Sequence, residues 1–121
     1  MQPLYTANVS LIASKKYLMS ASHLDTDDQF PVLLERRLSM RKRGSVAMQD
    51  ILIQIGHPYW VEQDIEAACP VAIRGFLGRL VDVRGVDQLD AMRLAINLVD
   101  STLNKKATDT EFFWSDGEDY S

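Results

Sequence analysis

A single cysteine, Cys69, in 121 residues leaves no partner for an internal disulfide and too few thiols for a cysteine-rich zinc cluster. A reducing, cytoplasmic setting is the expectation. Long apolar runs are also missing: nothing approaches the ~20 residues of a membrane span. Met1 to Ser20, broken by Lys15 and Lys16, lacks the charged start and continuous apolar centre of a signal peptide. Positive charge is scarce, with 13 Lys and Arg against 17 Asp and Glu, a net charge of −4 and a pI near 5.0. That balance disfavours a general nucleic-acid binder and leaves room for a local basic patch. Internal repeats, low-complexity tracts and a matched set of catalytic residues are absent as well. The chain is therefore not read as an enzyme, and it carries no cofactor motif.

The clearest pattern present is helical. Leu89, Met92, Ile96, Val99 and Leu103 recur at steps of three and four, which predicts a helix with this stripe buried, widened by Ala91, Leu94, Ala95 and Leu98. The small Ala91 and Ala95 permit close approach to strands. Gly85 suits a backbone bend, Asp87 is placed to cap the first turn, Asp90 puts negative charge at the helix start, and Lys105 and Lys106 put positive charge near its end. As acids at a helix start, Asp87 and Asp90 read as caps before they read as a catalytic pair.

Upstream, strand patterns dominate. Val32 to Leu38 reads as a first strand ending in a charged turn at Arg41-Lys42-Arg43-Gly44. In the second strand, Asp50 to Ile55, the alternation of Ile51, Ile53 and Ile55 marks one buried face, and Gly56 and Pro58 interrupt it. Val71 to Arg74 reads as a third strand closed by Gly75. Arg79 to Arg84 is a connector with an extended piece at Val81 and Val83, and Phe112-Phe113-Trp114 returns as a fourth strand or a lid. Short connections imply antiparallel pairing. The expected fold is α+β: an antiparallel sheet of three to four strands with one long C-terminal helix packed on one face. Residues 1–30 are read as an accessory segment, with an edge strand at Val9, Leu11 and Ile12, docking residues at Tyr17 and Leu18, and an alternative start at Met19. Residues 31–114 form the single domain and 115–121 an acidic tail.

The succession Glu35-Arg36-Arg37-Leu38, Ile53-Gln54-Ile55-Gly56-His57-Pro58, Ala68-Cys69-Pro70-Val71-Ala72-Ile73 and Gly85-Val86-Asp87-Gln88-Leu89-Asp90-Ala91-Met92 resembles a family of small bacterial domains of unknown function. That family carries a Cys-Pro strand and a Gly-x-Asp helix start. The resemblance spans residues 32–104. It implies the fold and a bacterial origin and carries over no catalytic residue.

Several clusters invite a functional reading. His57, Asp64, Glu66 and Cys69 lie close in sequence but lack a metal-ligand spacing such as Cys-x-x-Cys. Cys69 with His57 or His23 lacks a third catalytic partner and reads as a buried thiol. Arg36, Arg37, Arg41, Lys42 and Arg43 form a basic strip without interleaved aromatics, read as a solvated edge and turn on which Arg36 and Arg37 point to opposite faces. The tail is the more promising surface. Phe112, Phe113, Trp114 and Tyr120 sit among Asp109, Glu111, Asp116, Glu118 and Asp119, a pairing of apolar anchors with steering acids that suits a basic protein partner. The competing reading has the aromatics finishing the core and Ser115 to Ser121 fraying.

Tyr59 and Trp60, near a hairpin tip, join Glu111, Trp114, Asp116, Glu118 and Asp119 as the expected partner-binding residues. The functional expectation is a small immunity or antitoxin-like protein that neutralises a basic toxin domain by covering its surface. The alternative is a small-molecule-binding domain or enzyme with a pocket between sheet and helix, built on His57, Cys69 and nearby acids. Homodimerisation through edge strands or the tail is compatible with either.

Overall fold

A computed structural model describes residues 28–120. The expectations for Val9, Leu11, Ile12, Tyr17, Leu18, Met19 and His23 lie outside them. The fold is α+β: β1 (Val32–Lys42), β2 (Gln49–Gly56), β3 (Tyr59–Glu62), β4 (Glu66–Cys69), β5 (Val71–Arg74), β6 (Gly78–Arg79), β7 (Val83–Gly85), α1 (Gln88–Lys106) and β8 (Thr110–Trp114). All strand pairs are antiparallel. The single expected sheet is instead two, a five-stranded sheet ordered β6-β5-β2-β1-β8 and a three-stranded sheet ordered β3-β4-β7.

The division into two sheets has a cause legible in the chain. β2 through β5 form one long hairpin whose base pairs Ile55 with Val71 in the large sheet and whose tip pairs Tyr59 with Ala68 in the small one. Both arms change sheets at a proline corner, Gly56-His57-Pro58 on one and Pro70 on the other, because proline has no N–H to offer a continuing ladder. The Gly56 N–H donates to the Pro70 carbonyl across the corner, at 2.9 Å. The tip turns through Gln63, Asp64 and Ile65 without a glycine; Asp64 takes the left-handed conformation, φ 63°, which short polar side chains tolerate best.

β1 outlasts its predicted end. Arg41 and Lys42 pair with Glu111 and Thr110 of β8, which keeps both residues extended and confines the turn to Arg43 and Gly44. β8 realises the expected return strand, so α1 is followed by a strand rather than closing the fold.

Between the sheets lies one core. Ile51, Ile53 and Ile55 are buried on one face of β2, as their alternation predicts, together with Leu38 and Met40 of β1, Val71 and Ile73 of β5, and Phe112 of β8. The 19-residue α1 rests mainly on β4 and β7 of the small sheet and reaches β2 of the large one. Its start agrees with the sequence: Asp87 is the N-cap and accepts from the Asp90 N–H at 2.8 Å, while Asp90 accepts from the Val86 N–H at 3.0 Å.

The buried face of α1 is rotated from the predicted stripe. Ala91, Ala95, Val99 and Leu103 are buried and Met92 partly so, whereas Leu89 is 79% exposed and Ile96 40%. Close packing against β7 explains the rotation. A Cβ on Gly85 would fall 2.5 Å from the Ala91 nitrogen and 2.8 Å from its Cα, so the strand and helix backbones meet where neither side has room for a large side chain. Gly85 thus serves close approach rather than a bend.

Candidate functional site

Because α1 sits over the small sheet, it leaves part of the large sheet's inner face uncovered, and a groove follows. Its wider section, about 710 Å³, lies between the C-terminal half of α1 (Asp100, Leu103, Asn104, Ala107) and β8 with its following residues (Thr110, Glu111, Phe112, Trp114, Asp119, Tyr120). Arg36 and Arg43 complete that lining. A narrower section, about 230 Å³, is floored by Leu34, Ile53 and Ile55 and flanked by Ile96 and Val99. Arg36 of β1 and Asp100 of α1 line both sections and form the waist between an apolar end and an aromatic, charged end.

The polar end is built by the tail. After β8 the chain reverses through Ser115, Asp116 and Gly117 and returns along the outer edge of the strand. The Trp114 N–H donates to the Glu118 carbonyl at 2.7 Å and the Tyr120 N–H to the Phe112 carbonyl at 3.0 Å. This return lays Tyr120 against Trp114 edge to face, ring centres 4.9 Å apart. Arg36 lies over both rings, 5.1 Å from Trp114 and 5.7 Å from Tyr120, and donates to the Tyr120 hydroxyl at 2.8 Å. Each such cation–ring contact contributes about 0.5–1 kcal/mol at an exposed site. Among the described residues Arg36 forms no ion pair, so its charge is held by neutral groups at the groove's waist.

Two other members of the basic strip, Arg41 and Arg43, have internal duties. Arg41 donates through Nε and Nη2 to Glu111 at 3.0 and 2.9 Å and lies over the Phe113 ring. Arg43 reaches Glu111 at 3.4 Å and donates to the Ala107 carbonyl at the negative end of α1. Arg36 and Arg37 occupy opposite faces of β1 by strand alternation, and only Arg36 lines the groove.

Of the residues expected to bind a partner, Glu111, Trp114 and Asp119 line the groove, and Asp116 and Glu118 form the exposed turn at its rim, where the Glu118 N–H donates to Asp116 at 3.0 Å. Tyr59 and Trp60 belong elsewhere, on β3 of the small sheet. Trp60 packs against the core, and Tyr59 donates its hydroxyl to Asp82 at 2.6 Å. Burial, reinforced by Asp82, pushes the Tyr59 phenol up to about 12.

His57 and Cys69, expected at a pocket between sheet and helix, lie outside both sections of the groove. His57 is exposed, and Glu66 pairs with Arg84 at 3.1 Å. The Cys69 thiol is fully buried and donates to the Gly56 carbonyl at 3.5 Å. Burial pushes it up to about 11, with the charge of Asp82 adding to the effect.

No family model, curated protein or solved structure matches the chain. The groove's own chemistry is therefore what speaks to function. Leu34, Ile96 and Asp100 were not singled out as site residues by the sequence. The available signal was the surplus of apolar residues on α1, more than one buried face can use.

Proposed function

We propose that this chain is a protein-binding domain whose groove takes a basic, partly apolar segment of a partner. The observation that carries this reading is the continuity of an apolar trough (Leu34, Ile53, Ile55, Ile96) with an aromatic and acidic rim (Trp114, Tyr120, Asp100, Asp119). Apolar floor supplies contact area, and acids at the rim attract and orient positive charge. The groove is open along its length, which suits a polymer segment better than a small molecule enclosed on all sides. Its specific form is an immunity-type role, in which the chain covers the working surface of a basic toxin; the acidic net charge of −4 and the rim at Asp116, Glu118 and Asp119 support it.

Site-specific photo-crosslinking in the source cells tests the proposal. A photoreactive residue at Asp116 is expected to yield a discrete adduct with a basic protein, and the same residue at Val81, 87% exposed and outside the groove, is expected not to. Identical adducts from both positions, or none from Asp116, sink the reading. If the captured protein is toxic and co-expression of this chain leaves its toxicity unchanged, the immunity-type form fails while partner binding stands.

A further inference from the structure

β8 pairs with β1 only from Leu38 to Lys42. On that side, Val32 to Arg37 have no partner strand among the described residues, although the other side of β1 is paired with β2 along nearly its whole length. The direction of the free groups follows from the existing ladder. The Arg43 N–H donates to the Asp109 carbonyl, so alternate residues of β1 turn their N–H and C=O toward β8. Continued past the end of β8, that alternation puts the N–H and C=O of Glu35 and Arg37 on the open edge. Edges of this kind are templates for another strand, and proteins normally cover or blunt them. Here the edge adjoins the groove, and Val32, Leu33 and Leu34 are 38%, 44% and 47% exposed beside it.

We propose that the partner segment binds as an added β-strand along the open edge of β1, in line with β8. This rests on the protein-binding reading above and specifies its mode. Strand alternation defines the segment's chemistry. Side chains on its inner face lie next to Leu34, the Ile96 flank of α1 and the stem of Arg36, whose charge is turned onto the Trp114 and Tyr120 rings, and are apolar. Side chains on its outer face come opposite Glu35 and Arg37, and the one opposite Glu35 is basic. The end nearest β8 meets the exposed acidic turn of Asp116 and Glu118, which adds to the same preference. The occupant is thus an extended segment alternating aliphatic and basic residues, supplied by another protein.

The probe is a short synthetic peptide alternating Ile and Lys, compared with a copy N-methylated on the residues that face β1. The full chain carries Trp60→Phe, so that Trp114 is its only indole. Backbone amide exchange is read by NMR at Glu35 and Arg37, and Trp114 emission reports groove occupancy. Strand addition predicts that the unmodified peptide slows exchange at both amides by about tenfold and that the methylated copy does not. If Trp114 responds while both amides are unaffected, strand addition is overturned and the groove reading survives. If neither responds, both are overturned. Slow exchange at Glu35 and Arg37 already present without peptide shows the edge occupied by this chain or a second copy, and it too overturns addition of a partner strand.

Discussion

The Asp90 side chain ties the residue before the helix cap to the first turn of α1. The Val86 N–H, then the Arg93 guanidinium, hold its carboxyl below the ordinary value of 3.8. A carboxyl more acidic in the folded chain than in the unfolded one contributes its full stability above the ordinary value and loses it as pH falls through the folded value. Acid unfolding of Asp90→Asn is therefore expected to be less steep below 3.8 than that of the parent, with urea titrations across pH as the measurement. Its neighbour Asp87 is expected to lose about 1 kcal/mol on replacement by Ala, the usual loss at a helix N-cap. Cys69 offers a different readout. Fully buried and pushed up to about 11, its thiol should react with a disulfide reagent at neutral pH only when the domain opens, so the labelling rate measures opening. Rapid labelling under native conditions would contradict its burial.

At the scale of elements, α1 carries the sharpest test because its pattern and its packing disagree. Apolar periodicity located the helix and Asp87 its start, since both are local. Which arc of a broadly apolar helix turns inward depends on a contact distant in sequence, the close approach of Gly85 to Ala91. Gly85→Ala is accordingly expected to cost about 1–3 kcal/mol, as overpacking does. Leu103→Ala should cost about 2–5 kcal/mol, whereas Leu89→Ala, at an exposed position, should stay within about 0.5 kcal/mol. Denaturant midpoints of the three variants decide the facing of the helix. The strands show a similar division. Ile51, Ile53 and Ile55 announced their buried face through alternation, but Pro58 was readable only as a strand end and the corner at Pro70 was not readable, because a sequence does not show where a chain resumes pairing. Arg36 looked like one member of a solvated strip, since its partners Trp114 and Tyr120 lie far along the chain and only the return after β8 brings them over it.

On the scale of the whole molecule, the large sheet joins two local hairpins, β1–β2 and β5–β6, through the remote pairings β2–β5 and β1–β8, and the tail is part of that closure. Removing residues 116–121 deletes Tyr120, its hydrogen bond to Arg36 and its edge contact with Trp114. The expected results are a lower denaturation midpoint and a red-shifted Trp114 emission in a Trp60→Phe background. An unchanged spectrum would show that the return strand contributes nothing to the groove. The lateness of β8 has a consequence for synthesis. β1 is made first among the described strands and β8 last, so during translation the nascent chain holds the Leu38 to Lys42 edge bare until the final strand leaves the ribosome. Premature termination anywhere in α1 would release a product with the whole β1 edge unpaired and α1 incomplete, which makes stalled translation the moment of greatest aggregation risk for this fold.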